Sequence, residues 1–162
     1  MTDVFQIYPI GVVRKDDDAA WIEIFEGYAD ALLGLDGFSH INVLFWFNQN
    51  DMVEKRSILR VYPRGDQSNP LTGVFATHSP ARPNLIGLTR CKVLSINENR
   101  IRIKNIDALD GTPVIDIKCY IPDEGQEDKF KVPKWSSRFL VYQKQCIFLN
   151  TEYLRAIENG QC

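Results

Sequence analysis

Apolar and polar residues alternate along much of this chain with the period of two that suits a half-buried β-strand. Trp21-Ile22-Glu23-Ile24-Phe25 shows the alternation most clearly. Residues 4–13 combine it with β-branched side chains and run into the acidic turn Lys15-Asp16-Asp17-Asp18, which predicts a strand ending in a solvated loop. Residues 40–47 are apolar at nearly every position, the pattern of a strand buried on both faces. A further strand is expected over 57–62, halted by Pro63-Arg64-Gly65. Three β-rich runs follow at 86–96, 100–106 and 114–120, joined by Asn97-Glu98-Asn99 and by residues 107–113. Short helices are expected at 28–33, before Gly34, and at 151–159, with Thr151 as N-cap and Gly160 just past the end. Residues 122–134 read as a charged loop and 139–149 as a weaker strand. Many short strands at this spacing make the fold mainly β, a barrel or a sandwich.

A length of 162 residues suits one domain, and 44 % hydrophobic residues with 11 % aromatics give it enough apolar surface to bury a core. No apolar stretch approaches the roughly 20 residues of a membrane span. The N-terminus lacks a basic region followed by an apolar run, so a cytoplasmic protein is expected. Cys91, Cys119, Cys146 and Cys162 are dispersed without a CxxC spacing, and His40 and His78 are the only histidines, so no metal site is expected and the thiols are read as reduced, small buried fillers. A net charge of −2 excludes a uniformly basic nucleic-acid binder, and any RNA contact must use a local patch. Arg56, Arg60, Arg64, Arg90, Lys92, Arg102 and Lys104 can form one if they share a face; otherwise they are ordinary strand-exterior charges. His40, in an apolar context, reads as a satisfied core or interface histidine rather than a catalyst.

Residues 66–84 are too polar and too broken by Pro70, Pro80 and Pro83 for a ladder, and are expected to form a functional loop. Its second half, with the residues that follow, reads Gly73-Val74-Phe75-Ala76-Thr77-His78-Ser79-Pro80-Ala81-Arg82-Pro83-Asn84-Leu85-Ile86-Gly87-Leu88. Prolines stiffen it, so Thr77, His78, Ser79, Arg82 and Asn84 would be held in one arrangement around a ligand; a plain Pro-rich connector is the alternative.

This segment resembles the signature of the TrmO family (YaeB, or TsaA-like), Gly-x-Phe-Ala-Thr-Arg-Ser-Pro-x-Arg-Pro-Asn-Pro-Ile-Gly. The family's other landmarks occur in order: Leu35-Asp36-Gly37-Phe38-Ser39-His40, Val43-Leu44-Phe45-Trp46-Phe47, Pro63-Arg64-Gly65, and Asp107-Ala108-Leu109-Asp110-Gly111-Thr112-Pro113-Val114-Ile115-Asp116-Ile117-Lys118. The resemblance covers about residues 5–138. It implies a single small β-barrel with short helices over residues 1–138, followed by a short C-terminal extension, 139–162, in place of a second domain. It further implies a homodimeric enzyme that moves a methyl group from S-adenosylmethionine to the exocyclic nitrogen of threonylcarbamoyladenosine beside a tRNA anticodon. The absence of a Gly-rich βαβ fingerprint agrees with a cofactor site unlike the Rossmann type.

Carried over by position, the resemblance puts the cofactor pocket on Asn48 and Gln49 after the buried strand, on His78 and Leu88 around the signature, and on Ile106, Asp107, Ala108, Asp110 and Gly111. Asp107 or Asp110 would accept bonds from the ribose or the ammonium group, although Asp110-Gly111-Thr112-Pro113 also has the composition of a plain β-turn. Arg82 and Asn84 are the candidates for holding the carbamoyl group or the threonine carboxylate, since arginine binds carboxylates bidentately; a loop salt bridge is the alternative for Arg82. The chain departs from the family at His78 and Asn48, where arginine and histidine are usual, at Leu85, where proline is usual, and in a short 14–20 loop. A non-catalytic S-adenosylmethionine-binding sensor or regulatory module is the second reading.

Overall fold

The structure is a computed structural model and describes residues 4–122 and 129–136. Its strands are β1 (Gly11–Lys15), β2 (Ala20–Ile24), β3 (His40–Trp46), β4 (Arg60–Val61), β5 (Thr72–Gly73), β6 (Ile86–Asn97), β7 (Arg100–Lys104) and β8 (Pro113–Cys119). Six of them close a barrel in the order β1-β2-β7-β6-β3-β8, while β4 and β5 pair separately. Every barrel pairing is antiparallel. Closure removes the exposed sheet edges that an open sheet would present.

A barrel this small has no room for a channel, and its interior is filled by one side-chain set from each strand. Val13, Ile22, Ile24, Ile41, Val43, Phe45, Cys91, Ile101, Ile103 and Val114 form the packed centre. Strand β7 shows why the pattern works: in Arg-Ile-Arg-Ile-Lys the isoleucines are buried and the cations exposed. Asn97 pairs with Arg100, so β6 and β7 join through Glu98 and Asn99, and the Asn99 side-chain amide donates to the Ile24 carbonyl at 2.7 Å to tie the turn to β2.

Several sequence expectations are corrected. Residues 4–9 are exposed and outside any strand, and β1 begins only at Gly11; Pro9 has no N–H to donate and ends any ladder there. The strand expected at 57–62 shrinks to Arg60–Val61 against Thr72–Gly73. Strand β3 is not buried on both faces: Ile41, Val43 and Phe45 are fully inside, while His40, Asn42, Leu44 and Trp46 are half-buried, because a barrel strand has one interior face and only partial cover outside. The helix at 28–33 is a 3-10 segment, Glu26–Leu32. The strand and helix expected at 139–149 and 151–159 lie outside the described residues.

Part of the outer cover comes from residues 129–136. The Ser39 amide donates to the Lys131 carbonyl at 2.9 Å, and the Lys131 amide donates to Ser39 Oγ at 2.8 Å. His40 sits edge-on to Phe130 at 4.8 Å with its Nδ1 2.9 Å from Ser39 Oγ. Burial, then Lys92 and Arg90, hold its pKa below the usual histidine value. It is a packed, hydrogen-bonded histidine. Burial, and then the nearby Asp107 carboxylate, push the Cys91 thiol up to about 12, against the opposing pull of Lys15. Cys91 is thus a neutral core filler, whereas Cys119 is only half-buried. No helix among the described residues is long and apolar enough to cross a membrane, and no group of His, Cys, Asp and Glu there could hold a metal ion.

Candidate active site at one barrel mouth

Three segments distant in sequence meet where β3 ends, where the 73–88 segment enters β6, and where the chain crosses from β7 to β8. The ladder fixes the first two: Trp46 pairs with Ile86 and Phe45 with Gly87, and the Phe47 amide donates to the Leu85 carbonyl at 2.8 Å. Leu85, where proline was the expected residue, is fully buried beneath this junction.

The segment around the signature is braced by its own small polar side chains. Thr77 Oγ1 donates to the Val74 carbonyl at 3.0 Å, and Ser79 Oγ accepts from the Ala81 amide at 3.2 Å. These hydroxyls brace the loop from within. A second brace crosses from β3. Asp51 accepts from Trp46 Nε1 at 3.0 Å and from Arg56 Nε at 2.9 Å, and those two bonds hold its carboxyl below the usual carboxylate range. Arg56 also donates to the Pro83 carbonyl at 3.2 Å and lies over the Trp46 ring. Arg56 is therefore a structural cation and not a spare phosphate contact.

Two cavities open here. One, of about 200 Å³, is lined by Asn48, Gln49, Asp107 and Ala108, with Leu109 and Thr112. The other, of about 260 Å³, is lined by His78, Arg82, Leu88 and Asp107, with Phe75, Ile86 and Gly87. Both share Phe45, Phe47 and Asp107. Phe45 and Phe47 stand edge to face, 5.4 Å between centroids. Asp107 is exposed and accepts a hydrogen bond from Thr89 Oγ1. That bond fixes one oxygen of the carboxylate and leaves the other open to the cavities. Arg82 makes one long contact, 3.5 Å to the Thr77 carbonyl, and has no acidic partner among the described residues, so the salt-bridge alternative does not hold there.

The structure thus brings together Asn48, Gln49, His78, Arg82, Leu88, Asp107 and Ala108. It places the other sequence candidates elsewhere. Ile106 is buried against the barrel core. Asn84 is exposed and lines neither cavity; its carbonyl accepts from the Ile86 amide at 2.8 Å. Asp110 and Gly111 form the centre of a turn closed by the Thr112 amide on the Leu109 carbonyl, with Gly111 at φ +76°. Asp110 Oδ1 accepts from the Lys15 amide at 2.9 Å, so this carboxylate caps the end of β1. The β-turn that the composition Asp110-Gly111-Thr112-Pro113 suggests is present at this place. Phe45, Phe47 and Phe75 were missed as cavity walls, although residues two apart at the end of a strand share one face and Phe45 and Phe47 could have been paired on that ground.

A family described as tRNA-methyltransferase O N-terminal domain matches residues 6–125. The chain belongs to the TrmO family. A TrmO from Pseudomonas aeruginosa superposes with a TM-score of 0.57 at 30% identity, over 74% of this chain and 57% of that one. A Methanocaldococcus jannaschii protein named Probable S-adenosyl-L-methionine-binding protein is 48% identical over 72% of this chain and 93% of its own length. The mouse tRNA (adenine(37)-N6)-methyltransferase is 41% identical over 62% of this chain, but that match spans only 22% of the mouse protein. Within the TrmO family frame, the signature segment is one wall of the two cavities and the β7–β8 crossing is the other.

Proposed function

We propose that this TrmO-family chain binds S-adenosylmethionine at the barrel mouth and methylates the exocyclic nitrogen of a tRNA adenine. The observation that carries the reading is the convergence on Asp107 of cavities walled by Phe45 and Phe47. Apolar faces with one carboxylate and two side-chain amides, Asn48 and Gln49, suit a ligand that joins an aromatic base to a cation. When bound, S-adenosylmethionine supplies an electrophilic methyl group on a sulfonium. The chain's part is to position and to exclude water. Asp107 holds a positive group, the phenylalanines close the floor, and Arg82, with free donors in the same cavity, holds an anionic group of the substrate. The carboxylate of threonylcarbamoyladenosine is the group we assign to it, bound in the two-pronged geometry that guanidinium offers. His78 stands beside Arg82 as a second donor. A cytoplasmic setting and a homodimer belong to the same proposal. Phe75 and Leu88, 81 % and 55 % exposed at the cavity rim, are apolar surface that a second copy would cover. Light scattering at micromolar concentration should return twice the mass of one chain, and a monomer mass would remove the dimer.

One observation favours a binding module as the second reading: the relative matched over nearly its whole length is named for binding, and the methyltransferase is matched over a small share of its own. Incubation with methyl-labelled cofactor and bulk tRNA, followed by nucleoside analysis, separates the two. Label in a modified adenosine is the expected result. Cofactor binding without any labelled nucleoside would leave the binding module standing.

A further inference from the structure

A groove of about 960 Å³ lies beside the cofactor cavities and is not part of them. One wall is the β4 strand and the turn after it, carrying Arg60, Tyr62 and Arg64; the other is the signature segment from Ala76 to Pro80. Thr77 and His78 line both this groove and the Arg82 cavity, so the two spaces are neighbours across one stretch of backbone.

The groove is cationic for a local reason. Arg60 and Arg64 are exposed and have no ion-pair partner among the described residues. The nearest acid in sequence is already engaged: Asp66 accepts from the amide and hydroxyl of Ser68 at 2.9 and 2.7 Å. Arg64 moreover adopts φ 59° and ψ 15°, a left-handed conformation uncommon for a side chain of this size. The Gly65 backbone amide on the Tyr62 carbonyl and the Asn69 side-chain amide on the Pro63 carbonyl hold that turn at 2.9 and 3.1 Å. Tyr62, 40 % exposed, sits between the two guanidiniums in sequence and lines the same groove. In a chain of net charge −2, two unpaired arginines around an exposed aromatic face form a site for something anionic and flat.

We propose that this groove binds single-stranded RNA next to the nucleotide that enters the cofactor cavities, Arg60 and Arg64 meeting phosphates and Tyr62 stacking on a base. The inference deepens the tRNA methyltransferase reading and rests on it. Phosphate contacts give affinity without sequence information, and aromatic stacking accepts any base, so the groove holds the strand while the cavity selects the target.

The test uses the full chain and a fluorescently labelled anticodon stem-loop RNA, with anisotropy read across a salt series. Each neutralised phosphate contributes about 0.7 to the slope of log affinity against log salt for a single strand. Arg60→Ala and Arg64→Gly should each lower the slope by about that amount, glycine being chosen because it adopts the left-handed turn freely. Tyr62→Ala should weaken binding about 5- to 150-fold at every salt concentration, the scale of one base stacked on an aromatic ring, and Tyr62→Phe should restore it. Arg102→Ala removes a cation that does not line the groove and should leave the slope unchanged. A fully paired RNA of the same length should bind more weakly than the stem-loop. Unchanged slopes in both arginine variants, with the stem-loop still bound, would overturn the groove and leave the enzyme reading intact. Failure of the wild-type chain to bind any RNA would overturn both, and calorimetry with S-adenosylmethionine would show whether the cofactor site survives by itself.

Discussion

Replacing Asp107 by asparagine is expected to weaken S-adenosylmethionine binding by on the order of 10- to 150-fold, the value of one hydrogen bond to a charged group. The substitution keeps the shape and leaves a carbonyl oxygen to accept from Thr89 Oγ1, so the barrel mouth should stay as it is. What it removes is the negative charge that both cavities share. Isothermal calorimetry on ligand-stripped protein gives the affinity, and thermal unfolding without ligand should show nearly the wild-type midpoint. Asp110→Ala is the contrasting case. Its carboxylate caps the Lys15 amide outside the cavities, so the variant should lose about 1 kcal/mol of stability and bind the cofactor nearly as well as wild type. If Asp107→Asn binds as tightly as wild type, the carboxylate has no part in the site and the convergence argued above loses its centre.

The contrast between these two aspartates shows what the sequence can and cannot convey. The period-two pattern located β2, β6, β7 and β8 well, because alternation follows directly from having one buried face. It overextended β1 and the β4 region, where apolar residues are exposed and backbone hydrogen bonding, rather than hydrophobicity, sets the ends. Closure into a barrel came from the resemblance, since alternation is the same in a sandwich, and the count of six strands came from the structure. For the site, three of the landmark segments meet at one end of the barrel. Within a segment, however, residues side by side in sequence point different ways: Asp107 faces the cavities while Ile106 enters the core and Asp110 turns back to β1. Nothing in Asp-Ala-Leu-Asp-Gly says which carboxylate is free, because that depends on where the Lys15 amide and the Thr89 hydroxyl arrive from elsewhere in the chain. The seven basic residues divide similarly. Arg56 is consumed by Asp51 and Pro83, Arg90 lies 3.9 Å over the Tyr120 ring, and Lys92 pairs in register with Lys104 on the barrel exterior. Only Arg60 and Arg64 of that set line the groove beside the signature.

The glycine at position 87 links packing to the site most tightly, and Gly87→Ala should damage both. Gly87 pairs with Phe45 across β6 and β3, and the Phe45 ring lies against its bare Cα. A Cβ built there would stand 2.5 Å from Phe45 Cζ and 2.9 Å from Cδ2, well inside contact distance. An exposed ring would swing aside, but Phe45 is 2 % exposed and packed edge-on to Phe47. Its remaining freedom is toward the two cavities it floors. The variant should therefore lose roughly 1–3 kcal/mol in denaturant unfolding, the usual cost of overpacking. Its S-adenosylmethionine affinity should fall as well, since the displaced ring occupies ligand space. Phe45→Leu removes the obstructing ring, so Gly87→Ala should cost much less in the Phe45→Leu background than in wild type. A coupling of at least about 1 kcal/mol in the double-mutant cycle is expected for side chains in such direct contact. Strictly additive losses would show that the ring has room to move and that Gly87 is dispensable to the shape of the site.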